Sequence, residues 1–274
     1  MSDTGRGQPD AVLLHDGSFS CFLCAVAECL NAAMAGGRPP AVRSAGGPAG
    51  LFENPVPVAR DDARAAVLWK RLCSRAGDAS MRLVFEAFCS DRPGADSSAA
   101  VAVCRLWREG PRALSDLAAA DMLELEKASA RSRAEAHLIS GLVRFSELAD
   151  GSWYASVRPS CDVLPLIGDH FSARFPDALW AIHDLGRGSA LVHEAGAPWV
   201  LARSFSFTAE EEAQASGGVP PYSAAERELR HAWSRYFDAV AIQERSNPRL
   251  QAGHVPKRYW ADLPEMNDAP EGSQ

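Results

Sequence analysis

The sequence predicts an α+β fold: a helical N-terminal half packed with an antiparallel sheet of about five strands, then a C-terminal helix and an extended tail. Three observations predict it. Apolar residues recur at helical spacing through 61–135. From about residue 139 the pattern switches to period two, with turn residues between the runs. Hydrophobic residues make up 47% of the 274 and charged residues 23%, close to the globular balance of about 25% charged, so a packed core is within reach.

The elements follow in order. Residues 1–10 are polar and Gly-rich and read as a disordered N-terminus. Residues 11–16 read as a short strand. An apolar helix follows, with Ser18 or Ser20 as its cap and Phe19, Phe22, Leu23, Val26 and Leu30 on one face. Residues 36–50, rich in Gly and Pro, read as a mobile loop. The helical stretch 61–135 carries breaks at Gly77-Asp78, Arg92-Pro93-Gly94 and Gly110-Pro111, and its last helix starts near Ser115 or Asp116 and runs towards His137.

A hairpin is expected from the runs 142–145 and 153–157, turning at Ala149-Asp150-Gly151. A short helix spans 163–174, and strands follow at 180–183, 190–193 and 199–201. The acidic and then Gly/Pro-rich stretch 208–222 reads as a surface loop. A helix then runs to about Glu244, with Leu229, Trp233, Tyr236, Phe237, Val240 and Ala241 facing inward. Pro248, Pro256 and Pro264 suit an extended tail folded back on the body, and residues 267–274 read as disordered. Together this predicts one α+β domain over 11–266: helical over 11–138, sheet over 139–205, helix and tail over 223–266.

No apolar run reaches the ~18 residues of a membrane span, and no signal-peptide pattern opens the chain; the expectation is a cytoplasmic protein without membrane contact. The seven cysteines imply no disulfide framework, and Cys21-Phe22-Leu23-Cys24 reads as core, because no second pair stands at zinc spacing. No HExxH, GxSxG, P-loop or GxGxxG occurs, so no metal or cofactor is expected. The net charge of -7 excludes a protein that grips nucleic acid over its whole surface and leaves a local basic patch.

Two constellations carry chemistry. His170, His183 and Asp184 lie near Arg174 and Arg187 at element ends; a histidine moves protons near neutrality and an adjacent carboxylate can orient it, so these are the catalytic candidates of an enzyme reading. The C-terminal stretch interleaves Arg245, Asn247, Arg249, His254, Lys257 and Arg258 with Tyr259 and Trp260: cations meet phosphates and rings stack on bases, so with Arg174 and Arg187 these are the candidates for nucleic acid or phosphate.

Four stretches resemble a bacterial family associated with DNA metabolism, whose core is a domain of unknown function. They are His15-Asp16-Gly17-Ser18-Phe19 with Phe22-Leu23-Cys24; Gly141-Leu142-Val143-Arg144-Phe145 with Glu147-Leu148; Val163 through His170-Phe171, Arg174-Phe175-Pro176, Trp180 and Ile182-His183-Asp184 to Arg187-Gly188; and Tyr236-Phe237 through Glu244-Arg245, Asn247-Pro248-Arg249-Leu250-Gln251, His254, Pro256 and Arg258-Tyr259-Trp260 to Leu263-Pro264-Glu265-Met266. His15, Asp16 and Ser18 become site candidates as the head of the first stretch. The chain departs from the pattern at His15, where a Tyr is usual, and at Ile139 and Ser140, where a Met and a basic residue are common; the latter removes a charge that could bind phosphate.

The resemblance implies a repair setting: a radical SAM protein as associated partner, or a uracil-DNA glycosylase-like domain following this one in other members. It carries no catalytic mechanism. Without a glycosylase-like domain after Met266, the expectation is a stand-alone form. The functional expectation is a DNA-binding accessory to one of these partners. The alternatives are an enzyme acting on DNA or a nucleotide, and a protein–protein adaptor.

Overall fold

The computed structural model describes residues 11–47, 54–207, 220–240 and 248–263. The expected disordered ends, Ala241 of the expected inward face, Arg245 and Asn247, and most of the expected loop at 208–222 lie outside these residues. The chain is α+β and divides into two compact units, Met1–Ala134 and Glu135–Gln274.

The N-terminal unit holds a three-stranded parallel sheet in the order β2-β1-β3: β1 Ala11–His15, β2 Ala41–Ser44 and β3 Asn54–Pro57. The stretch expected as a loop supplies β2. A four-residue strand among Gly and Pro has no periodicity to announce it; it forms because β1 offers backbone groups, pairing Leu13 with Val42 and His15 with Ser44. Pro55 and Pro57 fit β3 because it is an edge strand, where a missing N–H is tolerated. Helix α1, Phe19–Met34, links β1 to β2 as parallel pairing requires, and Ser18 Oγ caps it by accepting from Cys21 N at 3.2 Å. Helices α2 (Asp62–Ala76), α3 (Asp78–Phe88) and α4 (Ala95–Glu109) break where the glycines predicted, and Phe22, Leu72, Met81 and Leu106 are fully buried in their core.

Cys21 and Cys24 are buried in that core, their thiols donating to the carbonyls of Val58 and Asp61. Burial pushes the Cys21 thiol up, and that of Cys29 to about 12.

Helix α5 spans Ala120–Leu142, later at both ends than expected: Pro111–Ser115 forms a separate 3-10 turn, and residue 142 still belongs to the helix. The run 142–145 is too short for periodicity to separate helix end from strand. The hairpin is present but shifted, pairing β4 (Ser146–Glu147) with β5 (Trp153–Val157).

The C-terminal unit's sheet runs β4-β5-β6-β7-β8, with β6 Trp180–Asp184, β7 Ser189–His193 and β8 Val200–Ala202. Its five strands match the expected number, but the sheet is mixed, because β5 and β6 are parallel. The cause is the helix between them, α6 (Leu164–Arg174), which carries the chain back so that β6 starts at the same end as β5. Ile182, Leu191, Leu164, Ile167, Phe171 and Trp180 share one core.

On helix α7, Ala224–Val240, two residues expected to face inward are exposed instead, Leu229 at 63% and Trp233 at 45%. The side chains of Tyr236, Phe237 and Val240 lie outside the described ones. Polar contacts anchor the helix's first turns. Glu226 is buried and accepts from Glu147 N, and Arg230, one turn on, donates to Ser146 Oγ at 3.2 Å. The expected extended tail is coiled, with helix α8 at Pro248–His254 and a 3-10 turn at Lys257–Asp262. The prolines explain it: Pro248 opens a helix at the position where no N–H is needed, and Pro256 immediately precedes the turn.

Gly168 in α6 is covered by the Trp199 ring, which Asp169 holds through a 2.7 Å bond from the indole N–H; a Cβ at Gly168 would lie 2.5 Å from ring carbon. Gly168→Ala is expected to lower unfolding stability by about 1–3 kcal/mol, the usual cost of overpacking, read as a shifted urea midpoint at unchanged slope.

Candidate functional site

The best-organised polar group in the C-terminal unit centres on Glu135, whose side chain is fully buried. Its carboxylate accepts from the backbone N–H groups of Ser160 at 3.0 Å and Cys161 at 2.8 Å, from the Tyr259 hydroxyl, and from Arg258 Nη2 at 3.1 Å. Burial pushes this carboxyl up, but the bonds from Tyr259, Ser160 and Cys161 outweigh it and hold it below the usual glutamate value. Tyr259 moves the other way, to about 12, through burial and the carboxylate it faces.

This arrangement reassigns two expected DNA contacts. Tyr259 is 2% exposed, so its ring has no open face for a base. Arg258, expected on a phosphate, is engaged by Glu135 and by the Tyr259 hydroxyl at 2.8 Å.

A second polar group lies on the sheet face opposite the core. Side chains alternate along a strand, so Tyr154 and Ser156 of β5 and His183 of β6 point away from Val157 and Ile182. The Tyr154 hydroxyl and His183 Nδ1 are hydrogen-bonded at 3.0 Å. Burial pushes His183 below its ordinary value, although Asp184 pulls the other way. Asp262, from the 3-10 turn, meets Ser156 at 3.5 Å and pairs with Arg158, while its buried Oδ2 has no hydrogen-bond partner among the described residues. Burial raises the Asp262 carboxyl against the pull of Arg158.

The same alternation separates His183 from Asp184, two of the three catalytic candidates. Asp184 points to the other side from His183 and locks a turn: Oδ1 accepts from Gly186 N at 2.9 Å and Arg187 N at 3.2 Å, and Oδ2 from Arg187 Nη1 at 2.8 Å. Arg187, expected on phosphate, also donates to the carbonyls of Pro159 and Ser160. His170 is exposed on α6, edge-on to Phe171. Neither the pocket lined by Phe145, Trp153, Phe175, Ala178 and Trp180 nor the one between β2 and the start of α4 is lined by His170, His183 or Asp184.

Two candidate cations are placed differently. Arg174, ending α6, lies over the Phe175 ring at 5.6 Å, and Lys257 over the Trp260 ring at 5.7 Å; neither is paired with a carboxylate among the described residues. Trp260 is half-buried, its indole N–H donating to Val255 O at 2.8 Å. Arg249 is exposed on α8, and the side chain of His254 lies outside the described ones.

Sequence reasoning missed a pocket of about 270 Å³ lined by Phe145, Trp153, Phe175, Ala178 and Trp180. Its aromatics come from the end of α5, β5, the end of α6 and β6, so no local spacing groups them.

In the N-terminal unit the remaining candidates serve local structure. His15 is buried; its Nδ1 accepts from Gly17 N at 3.2 Å, and Nε2 donates to Asp96 at 3.0 Å. Asp16 accepts from Ser18 N at 2.8 Å and from its hydroxyl, and Ser18 caps α1.

A family model described as a domain of unknown function, DUF4130, matches residues 95–265. The chain belongs to the DUF4130 family. No curated protein and no solved structure matches it. The DUF4130 match takes in Glu135 with its donors, both ring-seated cations and the aromatic pocket, and leaves out His15, Asp16 and Ser18. No helix among the described residues is long and apolar enough to cross a membrane.

Glu135→Ala is expected to cost about 3–5 kcal/mol, because Ser160 N, Cys161 N and the buried Tyr259 hydroxyl each lose a hydrogen bond, at about 1–3 kcal/mol for a buried donor. Since the folded carboxyl titrates below its unfolded value, its contribution is present above the unfolded glutamate pKa. It is lost as pH falls through the lower folded value. Urea midpoints across the acid range should therefore fall less steeply in Glu135→Gln than in the wild type.

Proposed function

We propose that this chain is a nucleic-acid-binding accessory protein of DNA metabolism, holding a strand for a radical SAM or uracil-DNA glycosylase-like partner. The observation that carries this reading is the pair of ring-seated cations, Arg174 on Phe175 and Lys257 on Trp260. A guanidinium or ammonium without a carboxylate partner can neutralise a phosphate, and an adjacent ring can stack on a base. The resemblance of four stretches to a DNA-metabolism family supports the same setting. The net charge of -7 restricts contact to such local groups.

The test is a titration of single- and double-stranded oligonucleotides over a salt series, with and without the partner. The wild type should bind more weakly as salt rises. Arg174→Glu and Lys257→Glu should each flatten the log–log salt slope by about 0.7 for a single strand, one phosphate contact each. Absence of binding at low salt under both conditions overturns the reading.

A protein–protein adaptor is the second reading, favoured by the exposure of Leu229 and Trp233 one turn apart on α7. Partner capture that is lost in Leu229→Asp, by a protein that ignores DNA, would select it.

A further inference from the structure

We propose that the aromatic pocket of the C-terminal unit accepts one unstacked nucleobase, with the attached phosphate on Arg174. This rests on the nucleic-acid reading above and names what that surface recognises.

Size sets the first limit. At about 270 Å³ the pocket is just below the ~300–1,000 Å³ of sites for drug-sized ligands, so it has room for one ring system. Shape sets the second. Trp180 is almost wholly buried and forms a fixed floor, held by its indole N–H to Phe175 O at 3.3 Å and by His193 stacked on it at 5.0 Å. Phe145 stands edge-on to Phe175 at 5.5 Å and to Trp180 at 6.0 Å. Trp153 and Phe175 are 41% and 36% exposed. A planar ring entering between them gains stacking on one face and an edge contact on another, the two arrangements that aromatic pairs favour.

Charge selects among occupants. Aromatic pockets also take alkylammonium groups, but Arg174 sits over a lining ring and would repel a cation. An apolar side chain of a protein partner would leave that guanidinium without a counter-charge. A nucleotide supplies both a flat π-face and an adjacent anion. The lining residues offer almost no polar surface, so recognition is by stacking and tolerates any base, with the hydrogen-bonding edge left towards water.

The experiment uses the full chain and a single strand carrying one 2-aminopurine, beside an abasic strand of equal length and charge. Binding should quench the 2-aminopurine. Trp153→Ala should weaken the base-containing strand by about 5- to 150-fold, the range of one base–aromatic stack, and leave the abasic strand unchanged. Trp153→Phe should recover most of the loss, and circular dichroism should show all three proteins folded. Deoxyadenosine monophosphate separates the two sources of the same chemistry. Trp153-dependent binding of it alone means that a free nucleotide suffices; strand binding without it means that a strand is needed, and both support the pocket. If the wild type binds strands and Trp153→Ala binds them equally well, the pocket inference is overturned while the nucleic-acid reading stands. If the wild type binds neither a strand nor deoxyadenosine monophosphate at low salt, both fall. Trimethyllysine binding in place of nucleotides would also overturn the inference.

Discussion

The C-terminal unit depends on one constraint: a buried carboxylate must be surrounded by donors. A charge taken out of water without them costs far more than the few kcal/mol by which a domain is stable. Glu135 obtains its donors from two distant places, the link between β5 and α6 through Ser160 and Cys161, and the tail through Arg258 and Tyr259. Satisfying one side chain therefore fixes the link that leads into the crossover helix, and it brings the 3-10 turn at Lys257–Asp262 against the C-terminal part of α5. Asp262, three residues after Tyr259, extends the same attachment by pairing with Arg158 just beyond β5.

That constraint also decides which cations remain for a ligand. Arg187 is held by Asp184 and two carbonyls, Arg258 by Glu135, and Arg158 by Asp262. Each donates to a carboxylate that is itself at least nine-tenths buried, so withdrawing it towards a phosphate costs a charge-assisted hydrogen bond. Arg174 and Lys257 face no such penalty, because a ring holds them through the weaker attraction of its quadrupole. Counting basic residues in the tail thus misjudges where positive charge is accessible, since part of that charge serves the fold.

The sheet's pleat sorts the polar chemistry further. Neighbours in sequence, such as His183 and Asp184, are delivered to opposite faces, whereas Ser156 and Asp262, far apart in sequence, meet. His183 consequently pairs with Tyr154 and Asp184 with the turn that follows it. Acid–base pairing read from adjacency in a strand fails for this geometric reason.

By itself the sequence determined the α+β class, the helix breaks at Gly77, Gly94 and Gly110, the number of strands in the larger sheet and the core role of Cys21 and Cys24. Those properties follow from periodicity, turn chemistry and composition, which are local. Tertiary structure alone decided the rest. The strand β2 needs β1 to pair with, and the parallel step from β5 to β6 follows from the path of α6. Glu226 and Arg230 anchor α7 while Leu229 and Trp233 stay exposed, and the tail coiled where its prolines had suggested extension. The aromatic pocket and the Glu135 group draw residues from elements far apart in sequence. Such groupings are set by which faces the pleat and the helix turn present to one another, and no spacing within a single segment records that.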